Sequence, residues 1–313
     1  MPQELPLREA YGQTLVDLGR ENPDIVVLDA DLSSSTMTHF FAKEFPNRFF
    51  DCGVAEQNMV SIAAGLAASG KIPFASTFAV FAPGRCFDQI RMSIAQPGLN
   101  VKLVATHGGI SVGEDGISHQ SIEDLSLICS LPGFTVIVPA DAIETAQAVR
   151  AAAASFGPFY IRLCRPKVPL VYGDDYRFNL GKAVTMRQGG DVTIIAIGIL
   201  VAAALEAADD LKREGVDCRV VNMPTLKPID EEAIIKAAAD TGAIVTVEEH
   251  LEHGGLGSTV ARVVARHRPV PMEFVAIKDT YATSGKADEL LQRYGLTAKD
   301  IGQAVRGVLK RSG

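Results

Sequence analysis

The sequence has no surplus of basic residues: 30 Lys and Arg stand against 37 Asp and Glu, a formal net charge of −7. With nothing to neutralise a phosphate backbone, nucleic acid is excluded as the main ligand. Cysteine is sparse, five in 313 residues, and no two form a CxxC pair. Odd in number and widely spaced, Cys52, Cys86, Cys129, Cys164 and Cys218 read as reduced thiols of a cytoplasmic protein, neither a disulfide framework nor a zinc site. Long apolar runs are missing too. The most apolar stretch, VTIIAIGILVAAAL at 192–205, is shorter than the roughly 20 residues a membrane span needs. Gly198 divides it into a β-branched half and an Ala/Leu half, a buried strand feeding a helix, so no membrane association is expected. The polar N-terminus, MPQELPLREAYGQ, does not read as a signal peptide. GxxxxGKS/T, GxSxG and HExxH are all absent.

What is present is an ordinary globular composition, 47% hydrophobic and 21% charged, on a chain long enough for two domains. Short β-branched runs alternate with Ala-rich amphipathic stretches throughout. Strands are expected at 24–31, 72–76, 100–106, 134–140 and 158–164, with helices near 5–20, 56–69, 84–96, 120–131 and 141–154. Asp141, with Glu144 three residues on, forms a capping-box pattern for the last of these. Near-continuous apolar strands separated by helices predict a mostly parallel sheet covered on both faces.

From 167 the character changes to a stretch with Pro169, several glycines and many charges, and residues 171–190 read as a linker between an α/β domain at 1–170 and a second at 191–313. The second repeats the alternation, with strands VTIIAIG, VDCRVVNM, AIVTVEE and MEFVAI. HGGLGS at 253–258 lacks the third glycine of a dinucleotide fingerprint and reads as a tight turn opening a helix, and EEHLEHGG as a polar turn.

Ligands of open parallel sheets bind beyond the carboxyl ends of the strands, and three features gather there. In DCGVAEQNM, Glu56 stands at a strand-to-helix junction with no Lys or Arg within five residues. An acid in the first turn of a helix suits the dipole, the commoner reason for one there, and the alternative is that it faces a ligand. Phe78 and Phe81 follow the strand IPFAS at i, i+3, a spacing that serves a core or a stacking surface. After NVKLVAT comes HGGISVGEDGISHQSIED, eighteen residues with four glycines, two histidines and four acids. Its glycines let backbone approach a ligand closely, while His107, Asp115 and His119 can bond hydroxyls or take a proton near neutral pH. Their spacing matches no usual zinc pattern, so no metal site is expected in this chain.

Taken together, GVAEQNM, STFAVF, THGGISVGEDGISHQSIED and VTVEEHLEHGGLGS resemble the transketolases, over essentially the whole chain but only over their pyrimidine-binding and C-terminal domains. The resemblance is closest to split transketolases, in which a separate polypeptide carries the diphosphate-binding domain. It implies thiamine diphosphate as cofactor. Glu56 would hydrogen-bond its aminopyrimidine and promote the imino tautomer that deprotonates the thiazolium, needing no side-chain cation nearby. Phe78 and Phe81 would stack on the pyrimidine, and Asp31 would lie on the cofactor side. Gly84 stands where the family often has a further aromatic, thinning that wall. His107, Asp115 and His119 would read sugar hydroxyls, with the two histidines catalytic; Arg8, Ser35 and Arg165 would hold the substrate's terminal phosphate.

The family's Gly-Asp-Gly…Asn element for magnesium and diphosphate does not occur here. The resemblance therefore implies Mg²⁺ ligands on a partner of about 270 residues. A homodimer or α2β2 heterotetramer acting on sugar phosphates is expected. Related thiamine enzymes share parts of the pattern: deoxyxylulose-phosphate synthases and 2-oxoacid dehydrogenase β subunits are alternatives, as is a non-catalytic scaffold.

Overall fold

The computed structural model describes residues 3–312. Two mostly parallel sheets flanked by helices carry the chain, the α/β architecture its hydrophobic alternation predicts. The larger has seven strands in the order Thr225–Lys227, Thr135–Ile137, Phe159–Arg162, Lys102–Thr106, Ile72–Phe78, Ile25–Asp29, Phe49–Asp51. All neighbours run parallel except the first pair. The smaller has five, Met272–Ile277, Ile244–Leu251, Val192–Ala196, Cys218–Asn222 and Val184–Arg187, the last antiparallel to its neighbour. Helices on both faces explain why the central strands read as unbroken apolar runs: Ile25–Asp29, Lys102–Thr106 and Val192–Ala196 are buried at every position.

One member of those runs is a lysine. Lys102 is fully buried, its Nζ donating to Asn100 Oδ1 at 2.7 Å, Ser155 O at 2.7 Å and Gly157 O at 2.9 Å. Burial lowers its ammonium to about 7. The lysine thus binds carbonyls beyond the end of the helix Ala142–Ala154. At the other end of that helix the cap forms as expected, Glu144 N–H donating to Asp141 Oδ1 at 2.8 Å, while Glu144 Oε2 accepts from Ala140 N at 2.7 Å.

The two halves interlock. Thr225–Lys227, from the second half, extends the first sheet, and one apolar cluster holds Val26, Val136 and Leu226 together with Ile195, Val221 and Leu256. The linker stretch is more structured than its composition suggests, because Val184–Arg187 joins the second sheet and Asp141 Oδ2 accepts from Val171 N at 2.9 Å and Tyr172 N at 3.0 Å. Two expected helices change form. The span 84–96 is a helix Ala82–Gln89, broken at Cys86 (φ −110°), that runs into a π-helical turn, Ile90–Ala95. Within 120–131 only Asp124–Cys129 is helical, and the histidine segment ahead of it is an extended loop with a single 3-10 turn at Ile110–Val112.

Candidate active site

Glu56 is the first residue of the helix Glu56–Ala68, entered from the strand Phe49–Asp51 through a turn at Gly53 (φ 68°). Its side chain is 6% exposed, and Oε1 accepts from Arg85 Nη1 at 2.8 Å. The expectation that this carboxylate has no cation beside it is therefore wrong for the chain on its own. Arg85 lies far away in sequence but on the adjacent helix, where its own carbonyl accepts from Gln57 Nε2 at 2.9 Å. Helix packing, not sequence proximity, supplies the cation.

The guanidinium of Arg85 also lies over the Phe81 ring, 3.9 Å from its centroid. Phe78, the last residue of its strand, and Phe81 are near parallel at 5.7 Å, an offset-stacked pair. His107 stacks on Phe78 at 3.8 Å, and His119 meets both phenylalanines edge-on, at 6.0 and 5.4 Å. A Cβ at Gly84 would meet nothing within 4 Å, so the wall is open where the family's further aromatic would stand.

His107 adopts a left-handed backbone (φ 59°), and its Nδ1 pairs with Thr106 Oγ1 at 2.8 Å. Burial, then the charges of Arg8, Arg165 and His119, push this imidazole down to about 3, so it is neutral at physiological pH. Arg8 and Arg165 are close enough to influence one another. Burial and Arg165 together lower Arg8, whose Nη1 donates to Ser35 O at 2.9 Å and whose buried Nε has no partner. Arg165 Nη1 donates to Val112 O at 2.6 Å. Among the described residues neither guanidinium is ion-paired to a carboxylate.

The short helix bearing Ser35, Ser33–Thr36, is organised by Asp29, a residue the sequence did not single out. Its carboxylate accepts from Leu32 N at 2.6 Å, Thr36 Oγ1 at 2.7 Å and Thr38 Oγ1 at 2.8 Å. Burial raises Asp29 to about 6 against the pull of those bonds. The structure thus brings Glu56, Phe78, Phe81, His107 and His119 into one cluster, with Arg8, Ser35 and Arg165 beside it. Asp31 and Asp115 are not part of it: both are exposed, Asp31 in a left-handed turn (φ 60°) and Asp115 at the tip of the histidine loop. No described hydrogen bond or ring contact ties either side chain to the cluster.

The strand expected over AIVTVEE forms, but the polar turn read over EEHLEHGG is corrected at its start. Glu248, Glu249 and His250 are buried in the strand Ile244–Leu251, where Glu248 caps the helix Leu256–His267 by accepting from Leu256 N at 2.7 Å and Gly257 N at 2.8 Å. The glycine turn before that helix forms as expected.

Residues 3–171 match the family model described as transketolase, pyrimidine binding domain, and residues 181–301 the transketolase C-terminal domain. The chain belongs to the transketolase family. It is 47% identical over 308 residues to a putative transketolase C-terminal section of Methanocaldococcus jannaschii, covering 97% of this chain and 96% of that protein. It is 43% identical to a 6-deoxy-6-sulfo-D-fructose transketolase subunit of a Clostridium species, over 97% of this chain and 95% of the other. Human transketolase is 40% identical over 99% of this chain but only 50% of its own length. Among solved structures, a split-gene transketolase described as an inactive β4 tetramer superposes with a TM-score of 0.93 at 53% identity, covering 99% of this chain and 100% of that one.

A thiamine pyrimidine fits what these residues offer. The planar guanidinium of Arg85 already spans the slot as a stand-in, donating to Glu56 while facing the Phe81 ring. A planar nitrogen heterocycle that carries or shares one ring proton can make the same two contacts.

Proposed function

We propose that the chain is one subunit of a two-component, cytoplasmic transketolase that moves a two-carbon ketol unit between sugar phosphates, with thiamine diphosphate and Mg²⁺ held largely by a separate diphosphate-binding subunit. The carrying observation is the buried Glu56 carboxylate facing, across one planar group, the Phe78–Phe81 stack. Two relatives that match nearly end to end are themselves called a section and a subunit, which supports the split. The tetrameric split-gene relative supports an oligomer; a homodimer or an α2β2 heterotetramer is the assembly this reading expects.

When bound, thiamine diphosphate supplies the carbanion chemistry at its thiazolium. Glu56 would share one proton with the pyrimidine ring nitrogen in the place Arg85 now fills, its carboxyl donating to the amino form and its carboxylate accepting from the protonated ring, and so would set the ring's tautomer. Phe78 and Phe81 orient the ring by stacking. Neutral His107 exchanges hydrogen bonds with sugar hydroxyls without imposing a charge, with His119 across the cluster from it. Arg8 and Arg165, short of anionic partners, take the terminal phosphate with Ser35. Asp31 and Asp115, exposed in the single chain, engage cofactor and sugar only in the assembled enzyme.

Purified chain, partner subunit, thiamine diphosphate and Mg²⁺ are combined and offered a ketose phosphate, a 6-sulfo ketose and pyruvate in turn. Ketol transfer from the phosphate is expected. Turnover of pyruvate alone would instead mark a decarboxylating synthase or 2-oxoacid dehydrogenase, and preference for the sulfonate would assign the anion site differently.

A further inference from the structure

The histidine loop of the first sheet is held by the second domain. Glu249 is buried at the end of the strand Ile244–Leu251, yet its carboxylate points into the turn after His107, where Oε1 accepts from Ser111 N at 2.6 Å and Oε2 from Ser111 Oγ at 3.2 Å. Gly109 (φ 88°) makes room: a Cβ there would overlap that carboxylate. Adjacent bonds tie the same two segments. Leu251 N donates to Ile122 O at 2.9 Å, and Arg162 Nη2 bridges Ser121 O at 3.1 Å and Glu249 O at 3.0 Å. Gln120 Nε2 reaches Thr283 O at 3.1 Å. The loop from His107 to His119 is thus bracketed by second-domain contacts, and among the described residues only Glu249 brings a carboxyl side chain to its backbone.

We propose that Glu249 is a positioning residue for ketol transfer: the second domain's carboxylate fixes the turn Gly109–Gly113 and thereby the spacing of His107 and His119 over the substrate. This rests on the ketol-transfer reading above. It gives the C-terminal domain a direct part in the site rather than a purely architectural one. A buried carboxylate costs desolvation and is kept only where its bonds compensate, and here both bonds go to one residue of the sugar-reading loop.

The test uses Glu249→Ala and Glu249→Gln in the assembled enzyme. Glu249→Ala is expected to lower kcat/KM for a ketose phosphate about 10- to 100-fold, mainly through KM, with thiamine diphosphate affinity held within about twofold. The glutamine amide still accepts from Ser111 N–H, so Glu249→Gln is expected to recover to within about threefold of wild type. Equal losses in both variants, an alanine variant that matches wild type, or cofactor affinity falling in step with kcat/KM would each overturn the proposal. Should Glu249→Ala not fold, Ser111→Ala is combined with Glu249→Gln: coupled effects support the proposal, and additive ones refute it. Amide exchange across 107–121 in the chain alone needs no turnover and separates this proposal from the ketol-transfer reading. Faster exchange at Ser111 and Gly113 in the destabilised variant, but not in Glu249→Gln, is expected; unchanged exchange contradicts it whatever the wild-type complex turns over.

Discussion

Arg85 Nη1 stands 2.8 Å from Glu56 Oε1 while the same guanidinium covers the Phe81 ring. One residue therefore satisfies both the carboxylate and the aromatic wall of the slot, and a pyrimidine entering it must displace that residue. Arg85 is half exposed and Glu56 buried, so the pair is partly screened and worth about 1 kcal/mol.

Arg85→Met removes the competitor and keeps the stem. Thiamine diphosphate should bind the assembled variant about fivefold more tightly than wild type, a change of about 1 kcal/mol. Titration calorimetry reads it. Weaker binding would mean that Arg85 helps to hold the cofactor.

A second prediction concerns acid. The His107 imidazole is held at about 3 when folded, against an ordinary value of 6.5. Between those values the unfolded chain binds a proton that the folded chain refuses, so stability is fully present above pH 6.5 and falls as the pH drops through that window. His107→Asn removes the term. Urea midpoints of wild type and variant, compared from pH 7 downward, should show the wild type losing its margin on acidification, and a constant margin would contradict the neutral, buried ring.

The third concerns the anion site. Arg8→Met should raise KM for a phosphorylated ketose roughly 10- to 100-fold, the scale of a lost charge-assisted hydrogen bond of about 1.5–3 kcal/mol, while leaving an unphosphorylated ketose nearly unaffected. Steady-state kinetics with the two donors checks this. Equal losses on both would remove Arg8 from phosphate recognition.

The fourth is a matter of stability. Arg162 and Asp124 form a wholly buried ion pair, Nε to Oδ2 at 2.9 Å, and Asp124 also accepts from Tyr160 OH at 2.8 Å. Asp124→Ala strands a buried guanidinium and should cost about 3–5 kcal/mol in urea unfolding. Because Arg162 also reaches Ser121 and Glu249, the histidine loop should loosen with it.

Much of this was legible in the sequence because local signals and global fold agree. The alternation of β-branched and Ala-rich stretches foretold both sheets, and Glu56, Phe78, Phe81, His107 and His119 meet because each stands at or after a strand end of one parallel sheet. Arg85 was not legible. No spacing within a chain reveals that the helix after Phe81 lies against the helix of Glu56. Glu249 escaped for the same reason: its partner Ser111 belongs to the other sheet's loop, and a Glu-Glu-His run looks solvated until a strand pairing buries it. Within 120–131 apolar residues suggested a longer helix, but Gln120 and Ser121 are spent on holding the loop, so helix begins only at Asp124.

The most direct measurement is ketol transfer by Glu56→Gln in the reconstituted two-subunit enzyme. Gln keeps the shape of the side chain but removes the charge that orders the cofactor's pyrimidine. A fall in kcat of at least about 100-fold, with the fold and subunit assembly intact, is the expected result. Activity equal to wild type would contradict the role given to Glu56, and with it the site built around that carboxylate.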